Sequence, residues 1–248
     1  MTIAAADGPK TLDIGGVLTD GLRALGRNFP GFLVVAAVLH GLPTTVMDLS
    51  QFFPGYSVGY FFFVAVGVVI DLVAYALLMG ALIYGTMREL EGRPAPLLTC
   101  LAVGRRYWLR MLGLAVLENL AFAAGLLLLV VPGVLLILRW AVASSAIVLE
   151  DRGVRDGMGR SAALTESRRW SLFLLMLILF AVGFGAQWCV NLTAGGYSVG
   201  QIWVRIALTS IVSVFSSLLH VSVFVALFRQ LRGDRDGAAP DALAEVFA

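Results

Sequence analysis

The chain has 248 residues, of which 59% are hydrophobic and only 14% are charged, and its net charge is +2. Soluble domains carry about 25% charged residues, so this composition excludes an ordinary soluble fold and favours a protein whose solvent is lipid. The small net charge gives no reason to expect a nucleic-acid partner.

The few cysteines and histidines predict neither a metal site nor a cofactor. Cys100, Cys189, His40 and His220 are the only residues of these types, and their spacing matches no metal-binding pattern. The two cysteines are expected on opposite sides of the membrane, so a disulfide is not expected. Residues 1–12 are polar and lack the apolar run of a signal peptide. They are predicted to be a mobile tail in the cytoplasm.

The first part of the chain predicts an interfacial helix followed by a membrane-spanning hairpin. Residues 13–28 place apolar side chains at helical spacing but are too short and too charged to span, which is typical of a helix in the interface. The first span is predicted at 30–47, kinked by Gly41 and Pro43. An aromatic outer loop follows, and the second span is predicted at 59–85, with Asp71 near its middle.

Two further units repeat this order. A polar inner loop at 88–96 precedes a short, partly amphipathic segment at 97–107 and then a third span that contains Glu118. Val131, Pro132 and Gly133 predict a tight corner into a fourth span that carries Arg139. The remaining elements are a surface helix at 153–167, a fifth span at 171–190, a Gly-rich outer loop at 191–201, a sixth span at 203–228 and a tail at 232–248.

The predicted fold is all-α: a polytopic integral membrane protein with six transmembrane helices in three hairpins, each preceded by a short interfacial amphipathic helix. Residues 13–231 form one domain, with repeats at about 13–90, 94–150 and 151–231. Each surface segment ends in a basic and aromatic group, as at Arg106–Trp108 and Arg168–Trp170. An alternative is that any membrane protein built from hairpins carries such groups at its inner ends.

The arginines predict the orientation. The outer loops at 48–58 and 191–201 contain neither Lys nor Arg, whereas the inner segments hold most of the arginines. This distribution follows the positive-inside rule. With six spans, both termini are expected in the cytoplasm.

Asp71, Glu118 and Arg139 fall within apolar runs, where a charge costs at least ~2.5 kcal/mol and needs a partner or water. By depth along the helices, Asp71 is the better partner for Arg139. Arg205 is near enough to an interface to extend towards it. The set is either a structural ion pair beside a neutral Glu118 or a polar pathway for an ion, proton or amphiphile.

The basic and aromatic groups at the inner ends are candidate sites for anionic lipid head groups. The alternative is that they fix the topology and bind nothing. The candidate residues are Arg105, Arg106, Trp108, Arg168, Arg169 and Trp170.

A family resemblance rests on residues 131–173. The matching elements are Pro132-Gly133, Arg139-Trp140, the triplet 148–150, Arg160-Ser161, Leu164-Thr165 and Trp170. These resemble the shared core of a bacterial inner-membrane family of unassigned function. The core is similar to the membrane domain ahead of some glycerophosphodiester phosphodiesterases and to YciC-type envelope proteins. Gly157 and Gly159 depart from its surface helix and weaken helix formation. The resemblance implies a bacterial inner-membrane protein and supplies no reaction.

No nucleotide loop, nucleophile elbow or metalloprotease motif occurs in the sequence. We therefore expect a non-catalytic protein that organises lipid or a partner in the envelope. The alternatives are a transporter or channel that uses Asp71, Glu118 and Arg139, and a membrane enzyme that acts on lipid, for which no catalytic set can be assembled. Expected partners are membrane lipids, including anionic ones, and either an unidentified protein or a second copy of the chain.

Overall fold

The fold is helical throughout the part of the chain that the computed structural model describes, residues 12–128, 130–193 and 199–236. Residues 1–11 of the predicted tail at 1–12, residues 194–198 of the loop at 191–201 and residues 237–248 of the tail at 232–248 lie outside these ranges. The helices are α1 (Ile14–Arg27), α2 (Phe29–Ala36), α3 (Leu42–Asp48), α4 (Val58–Leu90), α5 (Leu97–Leu128), α6 (Val130–Trp140), α7 (Ala143–Leu149), α8 (Val154–Thr165), α9 (Arg169–Thr193) and α10 (Val199–Asp236).

Four helical stretches in the described ranges are long and apolar enough to cross a membrane: Phe29–Phe52, Val58–Leu90, Arg169–Thr193 and Gly200–Asp236. A shorter apolar stretch covers Gly133–Leu149. Many large apolar side chains on these helices face outward, as expected where lipid replaces water. The prediction of an all-α membrane protein is confirmed at this level, and six spans in three hairpins are not confirmed.

The first of these stretches changes to a π-helical turn next to Gly41 and Pro43, where the sequence predicts a kink. A π-helical turn, Ala37–Gly41, joins α2 to α3, and the N–H of Leu42 bonds to the carbonyl of Ala37. Pro43 has no N–H to donate, so the wide turn relocates the hydrogen bonds around it. His40 lies within this turn, which places its side chain against α4.

Helices α4 and α5 pack closely through glycines. A Cβ added to Gly80 would lie 2.9 Å from the Cα of Gly104, and one added to Gly104 would collide with the carbonyl oxygen of Leu77. Small residues let helix backbones approach in this way when lipid surrounds the bundle. The contact holds the N-terminal part of α5 against α4.

The prediction of a separate surface segment at 97–107 is wrong. Helix α5 runs without a break from Leu97 to Leu128, so the second unit has no free interfacial helix. Arg105, Arg106 and Arg110 do not interrupt the helix because arginine is a good helix former. The three units therefore differ in construction.

The prediction of one continuous fourth span is also wrong. Its helix stops after Trp140 and restarts as α7 at Ala143. The hydroxyl of Ser161 on α8 accepts a hydrogen bond from the N–H of Val142 at 3.2 Å and donates one to the carbonyl of Arg139 at 3.0 Å. Helix α8 thus satisfies backbone groups that the break leaves unpaired. Ser161 and Thr165 are fully buried, so α8 is not purely a surface helix.

The first and last described elements pack on each other. Asp13 caps α1 by accepting a hydrogen bond from the N–H of Gly16 at 2.9 Å. A Cβ added to Gly21 would lie 3.0 Å from the Cα of Val223 on α10. Part of the apolar face of α1, predicted to rest on lipid, is therefore covered by protein. Helix α10 continues to Asp236, beyond the predicted start of the tail at residue 232.

Candidate functional site

A cavity of about 450 Å³ lies between α4, α5, the broken α6–α7 segment, α9 and α10. Its wall is mostly apolar, with Met79, Leu114, Leu136 and Phe224 among the lining residues. Ligand pockets in proteins are commonly about 300–1,000 Å³ and mostly apolar, with a few polar groups. This cavity has the size and character of such a pocket.

The polar groups of the wall come from three different helices. Glu118 lines the cavity from α5, and within the described residues no hydrogen bond or ion pair reaches its carboxylate. Ser145 lines it from α7 and is only 1% exposed, and no described residue forms a hydrogen bond with its hydroxyl. His220 lines it from α10. Two of the three groups therefore lack a protein partner for their polar atoms.

The hydrogen bond of His220 fixes the tautomer of its ring. Nδ1 lies 2.6 Å from the carbonyl oxygen of Ser216. A carbonyl can only accept, so Nδ1 carries the proton, and in the neutral ring Nε2 is an acceptor. The amide of Asn119, in contrast, donates one of its two N–H groups to the carbonyl of Ala115 at 2.8 Å. Asn119 is therefore partly engaged with the backbone of its own helix.

The helix break contributes directly to the wall. Trp140, Ala141, Ser144 and Ser145 line the cavity on either side of it. The break follows a helix of 11 residues, or about 16 Å, which is well short of a bilayer core. Irregular backbone at membrane depth is tolerated where it is covered by protein or lines a cavity, and both conditions hold here.

The cavity opens on the outer surface of the helix bundle. Leu72, Phe122 and Ile137 belong to its wall and are 39%, 44% and 38% exposed, respectively. Exposed apolar side chains at the rim of an opening in a membrane protein face the acyl chains. An apolar molecule could therefore enter sideways from the bilayer.

Asp71 is paired with His40, whereas the sequence analysis favours Arg139 as its partner. His40 Nδ1 lies 2.9 Å from Asp71 Oδ1, and the imidazole ring contacts the ring of Tyr75 at a centroid distance of 5.2 Å. Tyr75 also lines the cavity. The pair is available because the π-helical turn brings His40 to the face of α4 that carries Asp71.

The two other predicted intramembrane arginines are not buried charges. Arg139 occupies the last turn of α6 with its side chain exposed, and within the described residues its guanidinium has no carboxylate partner. Its backbone carbonyl, by contrast, is bonded to Ser161. Arg205 donates a hydrogen bond to Gln51, so it joins α10 to the segment that follows α3. Neither arginine lines the cavity.

Asp151 gathers the basic residues of α5 at the opposite end of the bundle from the aromatic loop. It accepts hydrogen bonds from Arg110 at 2.7 Å, Tyr107 at 2.9 Å and Arg106 at 3.1 Å. The bonds from Arg110 and Tyr107 hold the pKa of Asp151 below its ordinary value. They also stabilise its left-handed backbone, at φ +49°, which is uncommon for a residue other than glycine.

A second set of ion pairs joins α8 and the turn that follows it to the end of α10. Arg160 lies 2.7 Å from Asp236, and Arg168 lies 2.5 Å from Asp234. The hydrogen bond to Asp236 raises the pKa of the Arg160 guanidinium above its ordinary value. Arg168 is thus paired with a carboxylate of the protein, and so is the exposed Arg106, although both are among the predicted lipid ligands.

The remaining predicted lipid ligands have no carboxylate partner within the described residues. Arg105 and Arg169 are exposed, and their side chains have no carboxylate partner within the described residues. Trp170 is 85% exposed and touches only the ring of Phe173 among the described aromatic residues. Trp108 is half-buried against the core. The predicted group therefore divides into protein-bound and outward-facing members.

The family model described as Domain of unknown function (DUF7847) matches residues 56–231. The chain belongs to this family. No curated protein and no solved structure matches it. The part of the chain that matches DUF7847 extends from the start of α4 almost to the end of α10, so it contains the whole wall of the cavity. The His40–Asp71 pair joins a residue outside the match to one inside it.

Sequence reasoning singles out Glu118, which lines the cavity, but misses most of its surroundings. His40 and His220 carry little weight in the sequence, because a lone histidine in a span is usually bonded to a neighbour. That is true of both, yet one contacts Asp71 and the other lines the cavity. Ser145 gives no signal, since a serine in an apolar helix usually bonds to its own backbone.

Proposed function

We propose that the protein is a non-catalytic membrane protein that binds an amphiphile taken from the bilayer. The observation that carries the proposal is the cavity, which is large, mostly apolar and open between Leu72, Phe122 and Ile137. Lipid and similar amphiphiles reach such an opening by lateral diffusion. Only a few polar side chains of the wall could bind the head group of an amphiphile, as is typical of a binding pocket.

The proposed setting is the bacterial inner membrane. Six spans in three hairpins, with both termini in the cytoplasm, would place the arginine-rich ends of α4, α5 and α10 inside, as the positive-inside rule requires. In this arrangement α5 and the broken α6–α7 segment are spans as well. A relationship to the membrane domain ahead of phosphodiesterases and to YciC-type envelope proteins is proposed on residues 131–173 alone.

Photolabelling tests the binding proposal. The protein in lipid nanodiscs is irradiated with a photoactivatable long-chain alcohol, and the labelled residues are identified by mass spectrometry. We expect labels on cavity residues such as Met111 and Met176. The Ala115→Trp variant fills the cavity and should lose them. Val116→Trp is the matched control, because Val116 is the next residue on α5, is 45% exposed and lies outside the wall. Equal labelling of the cavity in both variants would overturn the proposal.

A transporter is the second candidate, and the chain of polar groups at α4 favours it. Asp71 is bonded to His40, whose ring contacts Tyr75, and Tyr75 shares the cavity wall with Glu118. Helices interrupted near the midplane also form the substrate sites of many transporters. In liposomes, Asp71→Asn should then slow movement of the amphiphile between leaflets while leaving its binding intact. Unchanged movement would exclude a transport role for the pair.

A further inference from the structure

The charge of the cavity wall points to the class of its ligand. Glu118 brings a carboxylate, and the described wall contains no Lys or Arg. The other titratable groups that line it are Tyr75 and His220, and the Nδ1–H of His220 is already donated to Ser216. An anionic head group would therefore meet a carboxylate without any compensating arginine or lysine. The wall is complementary to a cation or to a strong hydrogen-bond donor.

Glu118 and Ser145, which lack partners among the described residues, also favour a ligand that is a cation or a hydrogen-bond donor. Burying a carboxylate without a partner is costly, and a protonated amine supplies both the opposite charge and donor hydrogens. The hydroxyl of Ser145 is buried with no partner among the described residues, and a hydroxyl oxygen can accept a hydrogen bond from such a head group. The rings of Tyr75 and Trp140 also lie in the wall, and aromatic faces attract cations.

We propose that the cavity selects an amphiphile with a protonated amine head and an apolar body, and that Glu118 is the residue that recognises the amine. The inference rests on the proposed function, because it names the class of molecule that enters the same cavity. The amine enters from the bilayer, where the exposed rim of Leu72, Phe122 and Ile137 admits its apolar body. A phospholipid head group fits less well, since the described wall has no basic side chain for its phosphate.

Binding of three matched probes tests this selectivity. Dodecylamine, dodecanol and dodecanoate share one apolar body and differ in their heads. Their affinities are measured on the full-length protein in neutral nanodiscs, from the quenching of tryptophan fluorescence and from the shift in thermal unfolding. We expect dodecylamine to bind about 10- to 100-fold more tightly than dodecanol, the range expected for a hydrogen bond to a charged group. Dodecanoate should bind most weakly.

Variants of Glu118 show whether the preference resides in this carboxylate. Glu118→Gln keeps the shape and should remove most of the preference for the amine while leaving the affinity for dodecanol within about threefold. Glu118→Asp keeps the charge and should retain the preference. Glu166→Gln is the matched control, because Glu166 is exposed and lies outside the wall, and it should change neither affinity. If Glu118→Gln fails to fold, Ser145→Ala provides a second test through a smaller loss of amine affinity.

The outcomes separate the ligand class from the binding function. If Ala115→Trp abolishes binding of all three probes but wild type binds amine and alcohol equally, the cavity binds amphiphiles and the amine proposal is wrong. If the amine preference persists unchanged in Glu118→Gln, recognition by Glu118 is wrong. If no probe binds, or if Ala115→Trp binds all three as wild type does, the proposed function fails and the amine proposal fails with it.

Discussion

The close approach of α4 and α5 predicts that Gly104→Ala destabilises the protein whereas Gly113→Ala on the same helix does not. A Cβ at position 104 would collide with the carbonyl oxygen of Leu77 and would lie 3.2 Å from the backbone nitrogen of Ala81. Backbone atoms cannot rotate away, so the helices must separate. A Cβ at position 113 meets only the side chain of Val154, at 3.6 Å, which is an ordinary contact.

The two variants share the gain in helix propensity, about 1 kcal/mol for Gly→Ala in a helix. Only Gly104→Ala also incurs overpacking, which typically costs about 1–3 kcal/mol. The free energies of unfolding of the two variants should therefore differ by about 1–3 kcal/mol. For a chain of this size, each kcal/mol corresponds to about 2–4 °C of melting temperature. Thermal unfolding in a mild detergent measures it. Equal melting temperatures, or a more stable Gly104→Ala protein, would refute the glycine contact between α4 and α5.

Three further predictions concern polar contacts. Because the folded state lowers the pKa of Asp151, the stabilisation it gives is complete above the ordinary carboxyl pKa and is lost as the pH falls through the lowered value. The melting temperature of Asp151→Asn should therefore fall less steeply with acidification than that of wild type, and parallel curves would contradict this. Ser161→Ala should lower the free energy of unfolding in detergent by about 1–3 kcal/mol, because the backbone groups of Val142 and Arg139 at the α6–α7 break lose their hydrogen bonds to the hydroxyl. Ser167→Ala, at an exposed site, should leave the free energy of unfolding almost unchanged. A double-mutant cycle with His40→Phe and Asp71→Asn should give a coupling energy of about 0.5–3 kcal/mol, and additive effects would argue against the pair.

The sequence predicts long elements well because their signals are local. The apolar run that forms α4 and the capping Asp13 of α1 determine helices from neighbouring residues alone. The kink near Pro43 is equally local, since it follows from a missing N–H. Glu118 stands out for a similar reason, because a charge inside an apolar run needs no structure to be noticed.

The features that composition cannot reveal depend on contacts between distant segments. The break after Trp140 is stabilised by Ser161, 22 residues away from the carbonyl of Arg139 that it bonds. The sequence shows an uninterrupted apolar run there, so it predicts one continuous helix. The pairing of Asp71 with His40 is missed because depth along ideal helices ignores the π-helical turn. The cavity itself is a property of five packed segments and leaves no pattern in any one of them.

Native mass spectrometry of the purified protein tests the central claim most directly. The protein is extracted in a mild detergent and released from it in the spectrometer as wild type, Ala115→Trp and Val116→Trp. We expect wild type and Val116→Trp to retain a bound amphiphile and Ala115→Trp, whose new side chain occupies the cavity, to retain none. Retention of the same bound mass by all three proteins, or its absence from wild type, would contradict the assignment of the cavity as a binding site.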